Sequence, residues 1–134
     1  MTGDKSKEFA IRIVKLYQYL CEEKKEFILS KQLLRSGTSI GANLAESECA
    51  ISRNNFLSKI YMALKETSET LYWLELLKKT DYLTESQYES LRSDAEELRR
   101  MLSATTKTMN DGKKQLHSSL STLHSGVSTE GRND

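Results

Sequence analysis

Not one of the 134 residues is proline. Proline breaks helix interiors and marks turns in sheet proteins, so its absence permits long uninterrupted helices. Strand signals are missing as well, because no stretch alternates apolar and polar residues between glycine or Asn-Gly turns. The chain reads as all helix. Its length suits one domain, and 37% apolar with 29% charged residues describes a modest core under a heavily solvated surface. No run of about 18 apolar residues occurs, and Met1-Thr2-Gly3-Asp4-Lys5 is not followed by an apolar stretch. Neither a membrane span nor a secretory signal is expected, and a cytoplasmic location is. Cys21 and Cys49 lack the spacing of a zinc site or a disulfide framework and read as two reduced thiols.

Four helices follow from period. Phe9, Ile13, Leu16 and Leu20 share one face of a helix over residues 5–24. The polar run Glu22-Glu23-Lys24-Lys25-Glu26 ends it, and Phe27, Ile28 and Leu29 are expected to return the chain to the core. A second helix from about Ser30 to Ala50 carries Leu33, Gly37, Ile40 and Leu44 beside a stripe of small and polar residues, Ser36, Ser39, Asn43 and Glu46. The third opens after the capping candidates Ser52-Arg53-Asn54 and carries Leu57, Ile60, Leu64, Thr67, Leu71 and Leu74, ending near Lys79. Thr84-Glu85-Ser86-Gln87 has the capping-box pattern and starts the fourth, whose seam is Tyr88, Leu91, Ala95, Leu98, Leu102, Thr105 and Met109.

Such helices joined by short loops make an antiparallel up-down four-helix bundle over residues 1–110. Residues 111–134, rich in Ser, Thr, Gly and Lys, read as a flexible tail in which Leu116, Leu120, Leu123 and Val127 recur at helical spacing and would order only on a partner. Tyr17, Tyr61, Tyr72 and Trp73 are more aromatic side chains than two seams hide, which points to self-association.

Chemistry is sparse. His117 and His124 stand seven apart in the tail with no companion to complete a metal site. No GxSxG elbow exists, and Gly37-Thr38-Ser39-Ile40-Gly41 lies within a helix and lacks the Lys-Ser/Thr that follows a phosphate-cradling loop. Asn43, Glu46, Glu66 and Glu69 could face one another, but carboxylate-bridged metal sites in bundles need Glu-x-x-His pairs, which the first 110 residues lack. Neither an enzyme, a cofactor nor a metal site is expected.

The segment from Gln32 to Glu46, QLLRSGTSIGANLAE, followed by Asn55 to Thr67, NFLSKIYMALKET, resembles a bacterial family of four-helix-bundle proteins. Its founding members were reading frames in intervening sequences of 23S ribosomal RNA genes, and the likeness spans residues 9–109. The resemblance implies a ring-like homopentamer without known enzymatic activity, related to the accessory protein of diversity-generating retroelements, which binds a reverse transcriptase and nucleic acid. Arg35, Ser39, Asn43 and Glu46 match the family motif, and Glu66 and Glu69 are the helix-three counterparts; with Ser36 they are expected to be architectural. The family commonly has Pro and Gly where this chain has Gly41 and Ser47, so the kink and the end of helix two are expected to differ.

Charge alone points weakly to nucleic acid. Residues 1–110 hold 17 Lys and Arg against 16 Asp and Glu, so no global basic field exists. Local basic clusters are Lys24 and Lys25 at the first loop, Lys31 and Arg35 on helix two, Arg53 at the second loop, Lys78 with Lys79, and Arg99 with Arg100 on helix four, which cyclic symmetry would repeat around a ring; of these, Lys24, Lys25, Lys31, Arg35 and Arg53 are the nucleic-acid-binding candidates. The expected function is a non-catalytic homo-oligomeric module that binds RNA or a ribonucleoprotein. The alternative is a protein-interaction scaffold or the accessory subunit of a retroelement reverse transcriptase.

Overall fold

The computed structural model describes residues 2–123, with side chains described over residues 2–111. Four helices follow in order: α1 (Thr2–Glu22), α2 (Leu29–Ser47), α3 (Arg53–Lys79) and α4 (Glu85–Leu123). Each packs on its neighbours in the chain, and α1 also meets α4, closing an up-down four-helix bundle. No strand occurs among the described residues.

Helix ends follow local chemistry. Ser52 accepts from the Asn55 N–H at 3.0 Å and caps α3. Thr84 and Gln87 cap α4 reciprocally, at 3.1 and 2.9 Å. The α3–α4 turn closes with Asp81 in the left-handed region (φ 70°) and the Tyr82 N–H donating to the Leu77 carbonyl at 2.9 Å. Helix α2 is unbroken through Gly41, as the missing proline implies, and ends at the buried Ser47.

The core joins Phe9, Ile13 and Leu20 of α1 with Leu33, Ile40 and Leu44 of α2, Ile60, Ala63, Leu74 and Leu77 of α3, and Leu91, Ala95, Leu98 and Leu102 of α4. The heptad drawn for α3 is displaced in the structure. Its most buried positions are Ile60, Ala63, Thr67, Thr70, Leu74 and Leu77, while Leu57, Leu64 and Leu71 are only half-buried. On α4 likewise Thr106 is buried, not Thr105. A straight helix of 3.6 residues per turn drifts off a strict seven-residue repeat, and small residues fill the closest contacts whether or not they are apolar. Polar contacts also join α1 to α4 at the surface: Lys5 to Glu97 at 3.2 Å, and Arg12 to Asp94 at 2.7 Å and to Ser90 Oγ at 3.0 Å.

Three expectations need correction. Phe27 and Ile28 do not return to the core but are 55% and 74% exposed, leaving Leu29 alone to pack inward. Of the four aromatic side chains expected at the surface, Tyr61 and Tyr72 are exposed, whereas Tyr17 and Trp73 are half-buried, Trp73 against the core. The boundary at residue 110 does not end the helix, because α4 continues to Leu123, past the level of Arg53 at the start of α3. Extending an existing helix needs no new nucleus, and Leu116, Leu120 and Leu123 keep helical spacing. Val127, His124 and the rest of the proposed tail from residue 124 lie outside the described residues, as do the side chains of Leu116, His117, Leu120 and Leu123.

Helices α1 and α2 approach closely at Gly37. A Cβ placed on Gly37 would stand 2.9 Å from both Cγ1 and Cγ2 of Ile13, a fully buried, β-branched side chain with little freedom to rotate. Overpacking outweighs the better helix propensity of alanine here. Gly37→Ala is expected to cost about 1–2 kcal/mol in a urea titration. Gly41→Ala, whose Cβ meets nothing nearer than Ser6 Oγ at 3.3 Å, should stay within about 0.5 kcal/mol of the parent. Equal stability of the two variants would remove the close-approach account.

Candidate functional site

Arg35 projects from α2 toward α3 and is spent there. Its Nη1 lies 3.2 Å from Glu66 Oε1 and its Nη2 2.5 Å from Glu69 Oε1. Glu66 is 9% exposed, and its Oε1, which makes no well-directed hydrogen bond, relies on the guanidinium for compensation. The hydrogen bond from Arg35 holds the Glu69 carboxyl below the usual carboxylate range. One cation between two carboxylates leaves no net positive charge for a phosphate.

Arg53 is likewise engaged. Its guanidinium donates from Nη2 to the carbonyl oxygen of Met109, tying the start of α3 to α4, and its Nε is buried. Asn110 donates to the Tyr61 hydroxyl at 3.3 Å in the same region. Two of the five basic candidates are therefore braces between helices, which sequence spacing could not reveal because their partners lie 31 to 56 residues away.

The motif residues also find partners inside the chain. Ser36 Oγ and Thr70 Oγ1 are fully buried and 3.0 Å apart, a hydrogen bond across α2 and α3. Ser39 donates to the Arg35 carbonyl at 2.6 Å, and Asn43 donates to the Ser39 carbonyl at 2.9 Å. Glu46 pairs with Lys59 at 2.6 Å. Among the described residues no three His, Cys, Asp or Glu side chains converge as metal ligands.

Lys24, Lys25 and Lys31 remain. All three are exposed, and none forms an ion pair among the described residues. They stand at the α1–α2 turn, the same end of the bundle as Lys78 and Lys79, which pair with Glu85 and Glu75. The turn is built tightly. Lys25 takes the left-handed conformation (φ 56°), and the Glu26 N–H donates to the Leu20 carbonyl at 2.9 Å. The Glu26 carboxylate then accepts from the backbone N–H groups of Ile28, Leu29 and Ser30 at 3.2, 2.9 and 2.7 Å, satisfying the open amides at the start of α2. Ser30 Oγ returns a hydrogen bond to the Glu26 carbonyl at 2.8 Å.

Hydrophobic periodicity does not reveal Glu26, although an acidic residue just before a helix is a capping signal. Burial pushes its carboxyl up, but the three amide hydrogen bonds more than reverse this, leaving it below its ordinary range. A carboxyl lowered in the folded state stabilises fully above its unfolded value of about 4.3, and the contribution is lost as pH falls through the folded value. Glu26→Gln is expected to cost about 1 kcal/mol at neutral pH. It should also flatten the fall in thermal midpoint between about pH 5 and about pH 3. An unchanged acid limb in that variant would show that another carboxylate carries the dependence.

No curated protein matches the chain. A crystal structure of a protein of unknown function from Bacteroides thetaiotaomicron, belonging to the S23 ribosomal protein family, superposes with a TM-score of 0.78 at 55% sequence identity. The match covers 78% of this chain and 97% of that one. Residues 3–104 match the family described as 23S rRNA-intervening sequence protein, a span that takes in all of α1 to α3 except Thr2 and most of the packed part of α4. The chain belongs to the 23S rRNA-intervening sequence protein family.

Proposed function

We propose that this protein is a non-catalytic, self-associating helical module of the cytoplasm that binds RNA or a ribonucleoprotein through the α1–α2 end of its bundle. The observation that carries this reading is the charge distribution. Arg35 is neutralised by Glu66 and Glu69, and the half-buried Arg53 is turned onto the Met109 carbonyl, so the basic candidates that are both exposed and without a carboxylate partner among the described residues are Lys24, Lys25 and Lys31, gathered at one turn. Membership in a family described by its link to 23S rRNA intervening sequences supports RNA as the ligand.

Self-association is part of the proposal, with the homopentamer expected for the family as its form. Ile11 and Val14 on α1, with Tyr61, Met62 and Tyr72 on α3, leave apolar surface exposed outside the core. A closed ring would repeat the lysine turn once per subunit and sum its field, compensating for a formal net charge of only +1 on the chain. A second reading, a protein-interaction scaffold or the accessory subunit of a retroelement reverse transcriptase, is favoured by Ile51, which is 90% exposed at the α2–α3 turn. Such a side chain suits a protein partner better than a phosphate.

Fluorescence anisotropy with structured ribosomal RNA fragments, at low and near-physiological salt, together with sedimentation velocity, tests the reading. The expected result is an oligomer whose RNA affinity falls with salt and is lost in Lys24→Glu/Lys25→Glu/Lys31→Glu. Arg35→Lys should bind as the parent does. A monomer that binds no RNA at either salt would overturn the proposal in favour of the scaffold.

A further inference from the structure

Phe27 is unexplained by charge. The residue is 55% exposed at the tip of the α1–α2 turn, next to Ile28 at 74%, in a segment whose backbone is pinned on both sides. The pins are the left-handed Lys25 with its Glu26-to-Leu20 hydrogen bond, and the Glu26 carboxylate on three amides of α2. A ring held out into solvent by a fixed backbone loses little backbone entropy when something docks on it.

The same pins shape the charge. Glu26 is the one acid in the stretch 24–31, and it is 7% exposed with its carboxylate turned onto the amides. The surface of the turn therefore presents Lys24, Lys25, Phe27, Ile28 and Lys31. Glu22 and Glu23, exposed on the last turn of α1, border it and keep the local field small. Affinity from phosphate contacts alone would be correspondingly modest, so the ring is the feature able to raise it.

An aromatic face flanked by ammonium groups is the chemistry of single-stranded nucleic-acid recognition, in which an unpaired base stacks on the ring and the neighbouring phosphates meet the cations. A duplex offers no free base face. An anionic bilayer would also accept lysines around an apolar tip, but Phe27 and Ile28 are followed by buried Ser30 and exposed Lys31 and Gln32. The start of α2 thus lacks the broad apolar face that an interfacial helix needs.

We propose that the turn 24–31 binds unpaired RNA, with Phe27 stacking on one base and Lys24, Lys25 and Lys31 contacting the phosphates beside it. The inference rests on the RNA-binding reading above and adds the form of RNA recognised at that site.

The test uses the full chain and two fluorescein-labelled probes, an unstructured RNA of about 12 nucleotides, within the span single-strand sites usually cover, and the same strand in a blunt duplex. Anisotropy is followed over a series of salt concentrations. The single strand should bind more tightly than the duplex, with a log–log salt slope of about −2 for three phosphate contacts per turn. Phe27→Ala should weaken single-strand binding about ten-fold with the slope unchanged, and Phe27→Tyr should restore it. Lys24→Ala/Lys25→Ala/Lys31→Ala should flatten the slope. If Phe27→Ala binds as the parent does while the lysine variant fails, stacking is overturned and the RNA-binding reading survives. Equal affinity for the duplex would also overturn the inference. If the parent binds neither probe, both fall. Phe27-dependent sedimentation with phosphatidylserine vesicles, in a chain that binds no RNA, would identify the tip as a membrane contact instead.

Discussion

The bundle depends on the absence of one side chain. At Gly37 the backbone of α2 comes so close to α1 that a Cβ would press into Ile13, and this approach brings Leu33, Ile40 and Leu44 against the α1 core residues. On its other side α2 meets α3 through a second small pair, Ser36 and Thr70, hydrogen-bonded at full burial. Small residues at both contacts let α2 lie tightly between two neighbours, and Arg35 bridges to Glu66 and Glu69 on the solvent side of the α2–α3 seam. The motif stripe lies along these contacts. Its polar groups are satisfied within the chain, as buried polar groups generally must be.

That architecture decides where charge is available. Arginine, with its planar fork, is used for bracing: Arg12 to Asp94, Arg35 to two glutamates, Arg53 to a backbone carbonyl. The cations left unpaired at the α1–α2 turn are lysines, and the acid among them is withdrawn into the cap of α2. The proposed binding surface is thus a by-product of how the helix starts. A carboxylate that stabilises α2 by accepting three amides also stops being a surface charge, and the backbone it fixes holds Phe27 outward.

Much of the fold was legible in the sequence. Absent proline, the capping box at Thr84 and Gln87, the cap at Ser52 and the leucine spacing locate four helices and most of their ends. Burial on α3 was less legible because a heptad template rewards leucine, whereas the close contacts use Ala63, Thr67 and Thr70. The site was legible only in part. The sequence marks Arg35 and Arg53 as basic but cannot show that Glu66, Glu69 and Met109 hold them, since those pairings exist only after distant segments pack. Phe27 and Ile28 were misread because apolar residues after a polar run ordinarily re-enter a core. Here the Glu26 cap turns the chain so that Leu29 and Ser30 go inward in their place.

On the proposed reading, RNA meets this protein at the α1–α2 turn and not at the opposite end of the bundle. Ultraviolet crosslinking of the full chain to unstructured RNA, followed by mass spectrometry of the adducted peptides, tests it most directly. The account predicts adducts within residues 24–31, centred on Phe27. Adducts confined to the other end, around Arg53 and the part of α4 beyond Met109, would contradict it.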